Sequence, residues 1–313
     1  MLNNSADTRT SSGASALVLA AAVLFGTTGT ARALGPEISP LGVGAARIAV
    51  GAALLALFAA ILARRSGAPR ARMSPLPMLL GGLGVAGYQL SFFAAVADTG
   101  VAVGTVVALG SAPVFAGLLS RMTGGARLGA RWAACTALAT AGVAILVGSG
   151  QSADVSPAGV ALALGSGLGY AAYTVAAKRL LDDGHTPEAV MARTFGTGAL
   201  LLLPVLPITG FAAFATGPAL ATSLYLGAIP TAFAYVLFAR GLKVLPTGHV
   251  ATLTLAEPLT AAALGTVVLG EQLSAGAAIG AAMVLGGLAA LAVKPRSARP
   301  ALVRRPIVQD PAG

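Results

Sequence analysis

With 56% hydrophobic and only 10% charged residues, a chain of 313 positions cannot hide its apolar surface in a water-soluble core, which excludes a soluble globular fold and points to an integral membrane protein. The formal net charge of +10 would suit nucleic acid, but the basic residues follow the pattern of membrane topology, so a lipid bilayer and not a nucleic acid is the expected partner. A single cysteine, Cys135, and two histidines, His185 and His249, give no intramolecular disulfide and no thiolate metal cluster, and neither a metal nor another cofactor is expected.

Ten hydrophobic stretches of roughly 18 to 23 residues run along the chain, each long enough to cross a hydrocarbon core of ~30 Å as a helix. They predict spans at 14–31, 40–62, 76–97, 101–120, 132–149, 158–177, 189–209, 219–239, 247–269 and 274–293. The expected fold is therefore an all-α membrane bundle of ten transmembrane helices.

Residues 1–13, polar and rich in Ser and Thr, are predicted as a cytoplasmic tail without a fold of its own. Span one carries Phe25, Gly26, Thr27, Thr28 and Gly29. A cleaved signal peptide over 14–31 is set aside, because the copy of this stretch at 158–177 is an ordinary span. Span two holds Arg47, which must find a partner or snorkel, and its copy at an offset of 146 is Arg193 in span seven. Span three places Tyr88, Gln89 and Ser91 near mid-depth, and a turn at Asp98, Thr99 and Gly100 leads into span four.

Span five ends before a short external linker at 151–157, and span six carries Tyr170 and Tyr173. The loop from Lys178 to Glu188 mixes charges and reads as a solvated face. Span seven has Pro204 and Pro207, and span eight has Pro230, Thr231 and Tyr235. Prolines interrupt the helical ladder, which lipid tolerates only where neighbours or water satisfy the freed carbonyls. Residues 294–313 are predicted as a disordered basic tail close to anionic lipid.

Laying residue n on residue n+145 from Ala108–Val147 onto Leu253–Ala292 gives 11 identities in 40 positions without a gap, where composition alone would give roughly five. Pro113/Pro258, Gly125/Gly270 and Gly142/Gly287 are among the matches. The duplication extends to repeats at 14–149 and 158–293. Each repeat holds five spans, an odd number, so the second enters the membrane inverted, and a substrate site is expected where the repeats meet near the midplane. With the N-terminus cytoplasmic, seventeen of the 20 Lys and Arg residues fall inside, Arg32 alone falls outside, and Arg47 and Arg193 lie within spans. That bias sets both termini on the cytoplasmic side.

Glu257 is the sole acidic residue within any span. A carboxylate at mid-depth takes a proton, pairs with a cation or faces water, so it reads either as a site for a substrate amine or a coupling proton, or as a structural partner of Arg193 or Arg47. The two arginines suit a carboxylate or phosphate, with snorkelling and local pairing as the alternative. Tyr88, Gln89, Tyr170, Tyr173, Thr231 and Tyr235 share a comparable depth and together are expected to line a cavity. Pro113, Pro258 and Pro230 are expected to bend their helices. Glu271 lies in the turn before span ten and is expected to fix it. Spans five and ten carry little polar material and are expected to be peripheral scaffold or the contact helices of a homodimer.

Gly165, Ser166 and Gly167 with a distant histidine suggest an intramembrane serine protease only faintly, since both histidines lie at span ends. The phosphate-cradling loop of an ATP-driven pump is missing from the sequence, whereas a passive channel stays open as an alternative. Two five-helix copies, with Glu257-Pro258, then Leu269-Gly270-Glu271-Gln272-Leu273, then Ile279-Gly280 through Gly286-Gly287, resemble the EamA-type drug/metabolite transporter family. The first copy departs from that pattern at Ala112 and Ala126. The resemblance implies an inner-membrane carrier working by alternating access, which exports a small metabolite, amino acid, amine or drug in exchange for protons.

Overall fold

The computed structural model describes residues 3–37, 39–66, 72–148, 156–209 and 216–292. The linker at 151–155 and the tail at 294–313 lie outside them. Regular structure among the described residues is entirely helical. Nine helices there are long and apolar enough to cross a membrane: Thr10–Ala33, Pro40–Ser66, Pro75–Val101, Val103–Met122, Ala130–Gly148, Pro157–Asp182, Gly217–Val244, Thr247–Leu269 and Ala275–Ala292. Span seven is the tenth. It is helical over Pro187–Leu202, breaks at Leu203 and Pro204, and resumes over Val205–Ile208. Leu203 keeps helical angles, φ −52° and ψ −41°, but Pro204 has no amide to donate to the carbonyl one turn back, so the hydrogen-bonded ladder is interrupted there.

The first helix starts at Asn3, so the predicted tail is already helical from that point. No proline interrupts residues 3–13, and extending an existing helix avoids the cost of nucleating a new one. Spans three and four are joined without a loop at Gly100, whose φ of 80° is open to glycine and strained for other residues. Span nine ends at Gly270, with φ 71°, and the Glu271 amide donates to Gly265 O at 3.1 Å. The Gly270 amide donates to the same carbonyl, five residues back, and these backbone bonds over a left-handed glycine close the turn.

The duplication reappears in the packing. Spans five and ten pack on each other through equivalent glycines: a Cβ added at Gly142 would stand 2.7 Å from Gly280 O and Val284 N. One added at Gly287 would stand 2.8 Å from Cys135 O and 3.0 Å from Ala139 N. Residues 142, 280 and 284 map onto 287, 135 and 139 by the offset of 145 read from the sequence. The interfaces of spans two with eight and of seven with three form a second such pair. A Cβ at Gly227 would lie 3.1 Å from Gly51 N, and one at Gly82 would lie 3.2 Å from Gly198 N.

Each repeat also places its first helix in the other repeat. Span one packs on spans eight and nine and span six on spans three and four. Span six meets span three at glycines, where Cβ atoms at Gly84 and Gly169 would lie 2.8 Å and 3.0 Å from each other's carbonyl oxygens. Ser156 accepts from Gly159 N at the start of span six and donates to Asp98 Oδ2 at 2.5 Å, tying the turn of spans three and four to span six. On the other side, a Cβ at Gly26 would lie 2.6 Å from Glu257 O, and one at Gly241 would lie 2.8 Å from Ala14 O.

Such backbone contact has no room for a side chain, and overpacking costs about 1–3 kcal/mol. Gly287→Val is therefore expected to lower the unfolding temperature of the detergent-solubilised protein. Gly286→Val should not, because the nearest atom to a Cβ there is 4.0 Å away. Equal losses for the two would contradict this packing.

Candidate functional site

Span nine is not one continuous α-helix. It is α-helical over Thr247–Leu253, tightens to a 3-10 turn over Thr254–Ala256, and resumes as α-helix from Glu257. Pro258 sits in the first turn of the resumed helix, where its missing amide costs nothing, and the Glu257 amide donates to Thr254 O. Glu257 thus stands at a helix junction, against which Gly26 brings span one. The copy differs: Pro113 lies inside a helical run whose only non-helical residue is Gly100, and Ala112, at the place of Glu257, is buried.

Arg47 approaches this junction from span two. Its Nη2 donates to Gln89 Oε1 of span three at 3.0 Å. It interacts electrostatically with Glu257, Tyr88 and Tyr235, and Glu257 does so with Tyr88, Tyr170 and Tyr235. Yet no Arg47 nitrogen lies within 4.0 Å of a Glu257 carboxylate oxygen. The charges share a site without touching.

An aromatic cluster adjoins them. Ring centroids are 6.2 Å apart for Tyr88 and Tyr170, 5.1 Å for Tyr170 and Tyr173, and 6.1 Å for Tyr173 and Tyr235. Tyr235 then meets Phe195 of span seven at 4.2 Å and Phe25 of span one at 4.8 Å. Spans one, three, six, seven and eight all contribute, so the cluster joins the two repeats. Tyr173, Phe195 and Tyr235 are buried, whereas Arg47, Tyr88 and Glu257 are partly exposed. These three residues therefore sit at the less buried margin of a packed aromatic wall. Thr254 spends its proton on Ala251 O, so the Tyr170 hydroxyl, 3.1 Å from Thr254 Oγ1, is the donor in that bond. It fastens span six to the 3-10 turn.

Seven of the residues singled out in the sequence thus come together: Arg47, Tyr88, Gln89, Tyr170, Tyr173, Tyr235 and Glu257. Two do not. Thr231 packs against Gly51, and its hydroxyl donates to Leu226 O at 2.7 Å inside a π-helical turn, Ala228–Phe233, built around Pro230. Arg193 is exposed. Its offset of 146 from Arg47 is one residue short of the packing equivalence, since Gly51 corresponds to Gly198, an offset of 147. One residue is about 100° around a helix, enough to turn a side chain from the bundle to its outside. Thr194 occupies the inward place and is fully buried.

Phe25, Phe195 and Phe238, the last with its ring centroid 5.8 Å from Tyr235, complete the cluster and are not among the expected site residues. Phe238 follows Tyr235 by three residues, as Tyr173 follows Tyr170, which is the spacing of a shared helix face and was a legible signal. Glu188 was also misjudged. It does not lie on a solvated face but is buried, and Arg240 of span eight donates to it through Nη2 at 2.7 Å and Nε at 3.2 Å. Asp182 and Asp183, in contrast, make exposed i,i+4 pairs with Lys178 and Arg179.

Two inverted five-helix repeats, with charged and aromatic groups gathered where they meet, define a membrane transporter. The chain belongs to the EamA-like transporter family, whose model matches residues 12–148 and again 157–293. It is 40% identical over 288 residues to "Uncharacterized transporter YwfM" of Bacillus subtilis (strain 168), covering 92% of this chain and 96% of that protein. It is 31% identical over 223 residues to "Probable terminal-alkyne amino-acid exporter" of Streptantibioticus cattleyicolor, covering 70% of this chain and 73% of the relative. A solved crystal structure shares the fold with a TM-score of 0.76 at 24% identity, over 89% of this chain and 97% of that one.

The different settings of the two arginines predict different outcomes. Arg47→Gln should lower transport on the order of a hundredfold, while Arg193→Gln stays within about twofold of the parent. Transport by cells expressing each variant at matched membrane levels is the check.

Proposed function

We propose that this protein is a secondary active exporter of small amino acids or amines, in which outward movement of substrate is exchanged for inward movement of a proton at Glu257. The observation that carries the reading is the position of Glu257. It is the one acidic residue within the central part of any described span, at a helix junction between the repeats, and unbonded to the nearby guanidinium. A carboxylate in that setting holds either a proton or a substrate ammonium, and competition between the two makes an exchanger. The name of the Streptantibioticus relative supports the direction and the amino-acid class.

Alternating access requires the repeats to rock about the site. The 3-10 turn before Glu257 is the place where span nine bends, and Tyr170 of span six holds it through Thr254. The protein lies in the cell membrane with both termini in the cytoplasm, a reading that rests on the placement of basic residues.

In proteoliposomes with an imposed pH gradient, acid on the side that receives substrate should drive uphill transport by the parent protein. Glu257→Gln should lose the gradient-driven component and also weaken substrate counterflow, since the same carboxylate holds the proton and the ammonium. Undiminished coupling in that variant would defeat the proton role, and non-saturating flux without counterflow would mark a channel. Pro258→Ala should slow transport about tenfold and Pro113→Ala much less, since a helix junction accompanies only the second proline.

A further inference from the structure

In a water-poor interior, a guanidinium and a carboxylate sharing a site gain most by closing to a direct hydrogen-bonded pair. Arg47 and Glu257 remain apart, so something must hold them. Arg47 is restrained by Gln89, whose Oε1 accepts from Nη2 at 3.0 Å, and it also meets the Tyr88 hydroxyl. Gln89 is itself clamped, being 2% exposed, with Nε2 lying against Gly44, where a Cβ would stand 2.6 Å away. Because a guanidinium only donates, the bond to Arg47 fixes which way the amide faces. Gln89 Nε2 and Arg47 Nε are left buried with no hydrogen-bond partner among the described residues. The site therefore holds an unpaired cationic group, spare donors and an unpaired acid, with Arg47, Tyr88 and Glu257 on its less buried margin.

Resting on the reading of this cluster as the transport site, we propose that Gln89 is a spacer that splits Arg47 from Glu257, so that a substrate carrying both a carboxylate and an ammonium bridges them. The carboxylate takes the free edge of the Arg47 guanidinium, and the ammonium takes Glu257. An amine without the carboxylate leaves Arg47 unpaired, and an acid without the amine leaves Glu257 unpaired. Rejection follows from the stranded charge rather than from size. Gln89 is a positioning residue in this scheme, with Gly44 the small residue that admits it.

The test uses the full-length protein in proteoliposomes and counterflow inhibition by matched sets of compounds: each L-amino acid, the amine left by its decarboxylation, and the carboxylic acid left by removal of its amino group. For the parent protein, the best amino acids should inhibit at least about tenfold more strongly than either partner compound, a difference of about 1.4 kcal/mol. An amine that inhibits as well as its amino acid would overturn the proposal without any variant. In Gln89→Leu, Arg47 closes on Glu257 and inhibition by amino acids and amines is lost. Adding Arg47→Met to that variant frees Glu257 again, so amines regain inhibition and amino acids lose their preference. A structural role for Gln89 would produce no such recovery, and either its absence or a wild-type preference in Gln89→Leu would sink the spacer. Failure of the underlying reading looks different: Glu257→Gln and Arg47→Met would both transport normally. Failure of the spacer alone leaves those two variants impaired.

Discussion

Helices in lipid gain nothing from hiding apolar side chains from one another, because the surrounding chains are equally apolar. What remains is close van der Waals approach, and here it is achieved where a glycine of one helix meets the backbone of another. The same device positions the chemistry. Gly26 lets span one reach the peptide at Glu257, and Gly44 leaves the space that the Gln89 amide fills. Site and scaffold are therefore built from one kind of contact, and a change in how closely two helices approach is also a change in where the charged groups stand.

Around that frame, polar groups are satisfied mostly within their own helix. Thr254 and Thr252 return their hydroxyl protons to carbonyls one turn back, and each then serves as an acceptor for a different helix. Thr252 receives the Trp132 indole N–H at 3.1 Å and the Thr136 hydroxyl at 2.8 Å, which binds span five to span nine. Thr254 receives Tyr170 in the same way. Span nine is thus held by two different helices just before its junction, and its bend is directed rather than free. The aromatic wall behind Glu257 is rigid by comparison, since its rings are locked edge to face with little exposure.

The sequence made the architecture readable because membrane spans are long and duplication leaves an offset. The offset of 145 survives in three dimensions at Gly142 and Gly287, which is why the inverted arrangement could be inferred from counting spans. Glu257 and the tyrosines were legible as polar groups at a common depth. Direction around a helix was not. Arg193 was matched to Arg47 by type, and a single residue of slippage between the repeats placed it outside. Thr231 lies in a π-turn and gives its proton to the Leu226 carbonyl of the preceding helix, a rearrangement that Pro230 hints at but does not specify. Glu188 looked solvated because its neighbours in sequence are, while the arginine that covers it lies in another helix, 52 positions away.

The exchange of first helices has a consequence for how the chain is made. Span six is synthesised after spans three and four and finds both partners waiting. Span one emerges first, while spans eight and nine, on which it packs, emerge late. It must therefore reside in the bilayer as a lone helix for most of translation, closed by its own backbone hydrogen bonds and held by nothing else. The pseudo-symmetric molecule is assembled along an asymmetric route. Span one can dock only after spans eight and nine have been made, and that docking also brings Gly26 to Glu257. The candidate site is therefore completed only when span nine has been made.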